Sequence, residues 1–180
     1  MASEVDAHKP LPPPAITSFQ RNHPADHSDP STRLSGYSWR AQESHYNVAL
    51  PQYRTAITIP ASSETLRVHF IHKRCRLAET TSAQNGDVCV IPLLFCHDVD
   101  GSSFLDVSCI IDALTSRSSG TGEKDKGGVA FHVVAPSVPG TGFSDASGEE
   151  GFGVCETADV FDALMKRLGY EKYVTFGAGW

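Results

Sequence analysis

Three loops in this sequence carry residue types that can bind or polarise a reacting oxygen, and each loop follows an apolar segment. They are residues 97–102 (HDVDGS), 136–144 (PSVPGTGFS) and 177–180 (GAGW). Carboxylates, hydroxyls and an imidazole can move protons, and glycines let a backbone N–H approach a ligand closely. Open α/β sheets bind ligands at the carboxyl ends of their strands. We therefore expect the three loops to meet at one edge of a sheet.

The segments that must position these loops alternate between strand and helix patterns. Short alternating or continuous apolar runs predict strands at residues 53–59, 67–72, 88–96, 129–135 and 173–176. Apolar residues three and four apart predict helices at residues 104–115 and 154–168. Right-handed crossovers between parallel strands place helices on both faces of a sheet. The predicted fold class is therefore α/β, with a doubly wound, mostly parallel sheet.

Residues 1–36 differ from the rest of the chain. They are rich in Pro, Ser, His and Asp, and their few large apolar residues show no period. This composition predicts a disordered tail. Residues 37–180 then form a single domain, for which a chain of 180 residues has room. Two polar stretches inside that domain, 78–87 and 116–128, are predicted to be flexible loops.

Charge and hydropathy exclude two classes of protein. The chain has 15 basic and 21 acidic residues, a net charge of -6, so we expect no nucleic-acid partner. No run approaches the roughly 18 apolar residues of a bilayer span, and the first residues do not read as a signal peptide. Its five cysteines are widely spaced, without a C-x-x-C pair. These features predict a soluble, cytoplasmic protein.

Two groups of residues have spacings that could hold a metal ion, and neither is favoured. His69, His72 and Cys75 are close in sequence, but in a strand His69 and His72 point to opposite faces. Residues 98–101 resemble the start of a calcium loop, yet the glycine comes too early and Cys109 stands where a glutamate is needed. No metal or other cofactor is predicted. Five of the eight histidines, His69 among them, lack a serine partner in a motif and are interpreted as solvated or packing residues.

The order of the motifs resembles the microsomal-type group of epoxide hydrolases in the α/β-hydrolase family. The resemblance begins at residues 37–43 (YSWRAQE), continues through 51–53 (PQY) and 68–72 (VHFIH), and runs on to Trp180. It covers the first half of a family member and implies a partial, truncated α/β-hydrolase fold for residues 37–180. In the family the cap domain, the charge-relay acid and the water-activating histidine lie further downstream. A truncated product is therefore expected.

The resemblance assigns the oxyanion hole to Asp98, Val99 and Trp180. The family's loop reads H-G-W-P-G-S, where the glycine admits a close backbone approach and the proline stiffens the turn. Here the loop reads HDVDGS, with carboxylates at Asp98 and Asp100. Their charge would repel the oxyanion that N–H groups stabilise, so we expect a damaged oxyanion hole.

A second family motif, P-G-x-G-x-S, is intact as Pro139, Gly140, Gly142 and Ser144. The resemblance implies that it is a structural turn beside the site. It is not a dinucleotide-binding motif, because the third glycine of G-x-G-x-x-G would fall on Asp145.

The resemblance also predicts a nucleophile elbow after the last strand, where epoxide hydrolases expose an aspartate. Aligning the family's G-G-D-W-G with Gly177, Ala178, Gly179 and Trp180 places Gly179 at the nucleophile position. Glycine has no carboxylate that could form the ester intermediate. No catalytic residue of the family is therefore predicted in this chain.

Three functions are consistent with these observations. The first is an epoxide hydrolase-like protein, related to enzymes that open hydrophobic epoxides to diols in detoxification or secondary metabolism, but without their nucleophile. The second is a non-catalytic protein that binds a hydrophobic small molecule or a full-length relative, with self-association through an exposed sheet edge also expected. The third is an enzyme that uses Asp98 or Asp100 as a general acid or base.

Overall fold

The structure of the protein is a computed structural model. It describes six stretches of the chain, residues 15–19, 38–59, 64–75, 88–99, 101–116 and 128–177. They contain the strands β1 (Thr17–Ser18), β2 (Gln52–Thr58), β3 (Thr65–Lys73), β4 (Val88–Cys96), β5 (Gly128–Pro136) and β6 (Val174–Gly177). The helices are α1 (Trp39–Ala49), a 3₁₀ helix (Phe104–Cys109), α2 (Ile111–Thr115) and α3 (Val154–Arg167). Most of the predicted tail and of the two predicted flexible loops lies outside the described residues.

The six described strands form one mixed sheet in the order β1-β2-β3-β5-β4-β6. β1, β2, β3 and β5 pair antiparallel in that order. β4 pairs parallel with β5 on one side and with β6 on the other. The predicted α/β class is confirmed, but the sheet is mixed rather than mostly parallel, because parallel pairing is confined to β5, β4 and β6.

Buried apolar side chains cover both faces of the sheet, as a doubly wound fold requires. On one face α3 packs against β2 and β3 through Val160, Phe161, Leu164 and Met165. On the other face the 3₁₀ helix and α2 pack through Phe104, Val107 and Ile111. None of the described helices is long and apolar enough to cross a lipid bilayer.

The two predicted helices form, with one difference. α3 occupies its predicted position, with Glu156 accepting a backbone N–H in its first turn and Gly169, at a φ of 89°, ending it. The earlier helix is divided into a 3₁₀ helix and α2. Its buried residues Phe104 and Val107 are three apart, which is the period of a 3₁₀ helix.

Two elements of the structure, α1 and β1, are not predicted by the sequence patterns. α1 is capped by Ser38, the residue before the helix, whose side chain accepts the Ala41 N–H at 3.3 Å. None of the α1 residues is buried, which agrees with the weak apolar periodicity of this segment. β1 lies within the segment predicted as a tail, where Thr17 and Ser18 pair with β2. Thr17 and Ser18 therefore belong to the sheet.

A carboxylate clasp holds the long loop between β5 and α3 against the antiparallel half of the sheet. Asp145 Oδ1 accepts a hydrogen bond from Arg54 Nη2 at 2.8 Å, and Asp145 Oδ2 accepts from Arg67 Nε at 2.8 Å and from the Arg67 N–H at 3.1 Å. The hydrogen bonds from Arg67 are the main reason that the pKa of Asp145 lies below its usual value. Glu64 makes a second clasp, accepting the Gly148 N–H at 2.9 Å and the Ser147 hydroxyl.

Replacing Asp145 with alanine is expected to lower the free energy of unfolding by about 2 kcal/mol, since it leaves partly buried Arg54 without its partner. The matched control is Asp159→Ala on the exposed surface of α3, for which we expect a change within about 0.5 kcal/mol. Urea denaturation near neutral pH measures both. Because folding lowers the pKa of Asp145, its stabilisation is present above the unfolded pKa near 4 and is lost as the pH falls. Equal effects of the two substitutions would contradict the clasp.

Candidate functional site at the carboxyl edge of the parallel strands

The first two predicted loops meet in the structure. β4 ends at Cys96, whose partner on β6 is Gly177, and β5 ends beside them at Pro136. The loops that follow β4 and β5 therefore leave the same edge of the sheet. Of the third loop only Gly177 lies within the described residues, so the structure does not describe Gly179 and Trp180.

The ring of His97 joins the first two loops. Its Nε2 accepts the Val138 N–H at 3.2 Å, and its Nδ1 lies 2.7 Å from the carbonyl oxygen of Asp98. Because Nε2 accepts and a carbonyl can only accept, these contacts assign the neutral tautomer with hydrogen on Nδ1. The side chain is buried. His97 therefore acts as a strut between the loops rather than as a group exposed to a substrate.

The carboxylate of Asp98 accepts a hydrogen bond from a backbone N–H of the first loop. Asp98 Oδ1 accepts the Val99 N–H at 2.6 Å, while the carbonyl of Asp98 accepts the Ser102 hydroxyl at 3.1 Å. Gly101 turns the chain with a φ of 93°, which glycine adopts without strain. The N–H that the resemblance assigned to an oxyanion hole is thus paired with a carboxylate. That functional assignment of Asp98 and Val99 remains a prediction.

The P-G-x-G-x-S segment forms a compact turn, in which Pro139 and Gly140 lie before Gly142 and Ser144. Gly140 and Gly142 adopt φ values of 83° and 54°, in the left-handed region. The hydroxyl of Ser144 donates to the Ser137 carbonyl at 2.9 Å and accepts a backbone N–H of β3 at 3.0 Å. Ser144 therefore attaches the turn to the sheet, and none of these contacts involves a ligand.

His69 lies directly beneath this turn, and sequence reasoning missed its partners. Its Nδ1 is 2.8 Å from Ser137 Oγ and its Nε2 is 3.1 Å from Gln52 Oε1. The ring makes edge-on contacts with Phe104 and Phe143, at centroid distances of 4.6 and 5.1 Å. Burial, followed by the charge of nearby Arg54, lowers the pKa of His69 to about 4. The sequence interpretation of His69 as a packing residue is therefore correct, and the alternative interpretation, as a solvated residue, is wrong.

His69 and His72 lie on opposite faces of β3, as the alternation of side chains along a strand predicts. The Nε2 atom of His72 lies 2.9 Å from the Tyr170 hydroxyl. Its pKa is lowered to about 4, mainly by burial and then by the charge of Arg74. Within the described stretches no group of three or more His, Cys, Asp or Glu side chains is arranged to hold a metal ion.

Substituting alanine at Gly142 tests how tightly the turn is packed. A Cβ at Gly142 would lie 2.8 Å from Ser137 Oγ, whereas a Cβ at Gly151, which also has positive φ, would meet nothing within 4 Å. Gly151→Ala is expected to cost about 1 kcal/mol of unfolding free energy for the backbone strain alone. Gly142→Ala is expected to cost about 2 kcal/mol more, because it also displaces the hydroxyl bonded to buried His69. Urea denaturation measures the difference, and equal losses would show that the turn is not packed against Ser137.

Comparison with known proteins gives a consistent result. The family model described as the epoxide hydrolase N terminus matches residues 31–107 of this chain. The chain is 33% identical over 145 residues to epoxide hydrolase 1 of Oryctolagus cuniculus, which covers 80% of this chain and 28% of that protein. It is 30% identical over 144 residues to juvenile hormone epoxide hydrolase 1 of Ctenocephalides felis, covering 80% of this chain and 26% of that protein. The chain therefore spans about a quarter of the length of these relatives.

The fold is also similar to that of a solved relative. The crystal structure of juvenile hormone epoxide hydrolase from Bombyx mori matches 91% of this chain and 46% of its own chain, with a TM-score of 0.64 and 22% identity. At 22% identity this similarity shows a shared fold and carries no conclusion about function. Taken together, the chain is similar in sequence to the amino-terminal region of epoxide hydrolases, and its fold is similar to that of an α/β-hydrolase.

Proposed function

We propose that this protein retains the scaffold of an epoxide hydrolase and binds a hydrophobic, epoxide-like small molecule without opening it through an ester intermediate. The observation that carries the proposal is the 2.6 Å hydrogen bond from the Val99 N–H to the Asp98 carboxylate. The relatives' names, which include a juvenile hormone epoxide hydrolase, support an epoxide as the ligand class.

The Asp98 contact opposes the electrostatics of epoxide opening. When a carbon–oxygen bond of an epoxide breaks, the oxygen gains negative charge, and an enzyme stabilises that charge with donors aimed at it. The Val99 N–H already donates to a carboxylate, and that carboxylate would stand close to the new charge. Two like charges a few ångströms apart repel each other.

The sequence at the elbow supports the same proposal. Gly179 stands where the family's motif has its aspartate, and a residue without a side chain cannot form a bond between a carboxylate oxygen and the epoxide carbon. This part of the argument rests on the aligned motif, because Gly179 lies outside the described residues.

Incubation with styrene oxide, a small hydrophobic epoxide, tests the proposal. We expect diol to form at the rate seen in buffer alone, for the unmodified chain and for Asp98→Gly, since neither supplies a nucleophile. We also expect saturable, concentration-dependent shifts in NMR resonances of the loops at the carboxyl edge. Diol formation is measured by chromatography, with Asp106→Asn, an exposed residue of the 3₁₀ helix, as the matched control.

Three outcomes would contradict all or part of the proposal. Turnover that Asp98→Asn abolishes and Asp106→Asn preserves would identify an enzyme in which Asp98 is a general acid or base. Turnover that survives both substitutions would place a catalytic group elsewhere. If no saturable binding is observed, the proposed ligand is wrong, and only the proposal that the protein retains the scaffold remains.

The proposed setting follows the resemblance rather than the site. Detoxification of epoxides or their use in secondary metabolism is what the resemblance implies, and it stays a prediction. A cytoplasmic location is part of the proposal as well. All five cysteines lie within the described residues and none forms a disulfide, which supports a reducing compartment.

A second proposed role, self-association, is favoured by the exposed strand β6. All four of its residues are exposed, Val174 and Phe176 at 43% and 49%, and none is charged. On its outer side β6 pairs with no other strand in the described part of the chain. A second copy of this chain fits this edge, because antiparallel pairing of β6 with itself across a two-fold axis satisfies both strands.

Sedimentation across a range of protein concentrations is expected to show a dimer that Val174→Lys weakens, because a charge at the edge disfavours strand pairing. The matched control is Val129→Lys, since Val129 is similarly exposed at 46% but lies on β5 in the interior of the sheet. A monomer at all concentrations, or equal weakening by both substitutions, would contradict pairing through β6.

A further inference from the structure

Three segments that are distant in sequence converge on the buried ring of His69. The turn after β5 contributes Ser137 and Phe143, and the 3₁₀ helix after the first loop contributes Phe104. The third contribution is Phe19, whose ring centroid lies 5.1 Å from that of His69 and whose ring also contacts Phe143 at 5.0 Å. His69 is thus enclosed by three phenylalanines and is inaccessible to solvent.

Phe19 belongs to a short segment, residues 15–19, which we call the amino-terminal strap. The strap pairs with β2 over only two residues, Thr17 and Ser18. Its further attachments are the Phe19 N–H, which donates to the Gln52 carbonyl at 2.8 Å, and the Thr17 hydroxyl, which donates to the Arg54 carbonyl at 3.3 Å. Four of its five residues are exposed. With so few backbone contacts, the strap depends on the burial of the Phe19 ring.

Gln52 connects the strap to His69. Its backbone carbonyl accepts the Phe19 N–H, and its side-chain oxygen accepts a hydrogen bond from His69 Nε2. The side-chain nitrogen of Gln52 donates to Asn47 Oδ1 at 3.3 Å, which fixes the orientation of the amide. Since Nε2 donates, Nδ1 of the neutral ring must accept from the Ser137 hydroxyl.

A proton on His69 would disturb this arrangement. Nδ1 would then carry a hydrogen directed at Ser137 Oγ, so the serine would have to turn its own hydrogen away. In the described residues the charged group of β2 that acts on His69 is Arg54, which repels a second positive charge and is itself paired with Asp145. The turn after β5 and the 3₁₀ helix place Ser137, Phe143 and Phe104 around the ring. Nothing among these partners compensates a charge on the imidazole.

We propose that the amino-terminal strap is a latch over the supports of the carboxyl edge, closed by Phe19 against neutral His69 and opened when His69 takes up a proton. The inference goes beyond the proposed function and does not depend on which ligand the site binds. Opening would expose the His69 ring and loosen Phe104 and Phe143, which follow the first loop and line the second.

Proton linkage sets the size of the expected effect. His69 has a pKa of about 4 in the closed form and, with the strap open, is expected to return to its ordinary value of 6.5. The ratio of open to closed strap is then constant above pH 6.5, rises by about 160-fold as the pH falls to 4, and approaches a limit of about 300-fold below pH 4. Hydrogen exchange of the Phe19 amide, corrected for the intrinsic pH dependence of exchange, measures this ratio.

Three variants separate the latch from general acid unfolding. Phe19→Ala should raise the pKa of His69 toward 6.5, as followed by NMR of the imidazole, whereas Ile16→Ala, in the exposed part of the strap, should leave it unchanged. His72→Phe should preserve the opening of the strap, because His72 lies on the other face of β3.

The proposal is overturned if the pKa of His69 is the same in Phe19→Ala and the unmodified chain. It is also overturned if the Phe19 amide and the amides between β4 and β5 lose protection together at one pH, since that is global unfolding. The proposal is likewise overturned if the strap no longer opens at low pH in His72→Phe, because the proton that opens it would then bind His72 and not His69.

Discussion

The antiparallel ladder between β3 and β5 is the constraint from which the carboxyl edge takes its shape. Phe70 lies opposite Pro136, and beyond that pair the N–H groups of Ser137 and Asp145 continue to donate to β3 carbonyls at 2.9 and 3.0 Å. A long loop must find partners for its backbone groups, and here β3 supplies several of them. The first loop depends on the second in turn, because the buried ring of His97 accepts an N–H from it.

Two aspartates near this edge show how environment decides what a carboxylate does. Asp145 is held by two arginines and a backbone N–H, so its charge is compensated and it stabilises the fold. Asp98 instead accepts the N–H of the following residue, a local contact available to any aspartate in such a turn. The same residue type thus joins distant segments in one loop and makes only a local turn contact in the other.

The relation to epoxide hydrolases is carried by the scaffold, while the departures are concentrated in the loops. The strands and helices follow the order of an α/β-hydrolase, and the Bombyx mori enzyme shares that fold. Loops tolerate change because they contribute less to the core than the elements they connect. The function therefore has to be argued from the loops themselves.

The sequence by itself determined the alternation of strands and helices, the position of α3 and the placement of loops after strands. These depend on local apolar periodicity and on glycine or capping residues a few positions away. The tertiary structure decided the division of the sheet into antiparallel and parallel halves, the addition of β1, and the contact of His69 with Ser137, which lie 68 residues apart. Such contacts follow from the pairing of distant strands, and local periodicity cannot encode that pairing because it reports which face of an element is buried but not what covers it.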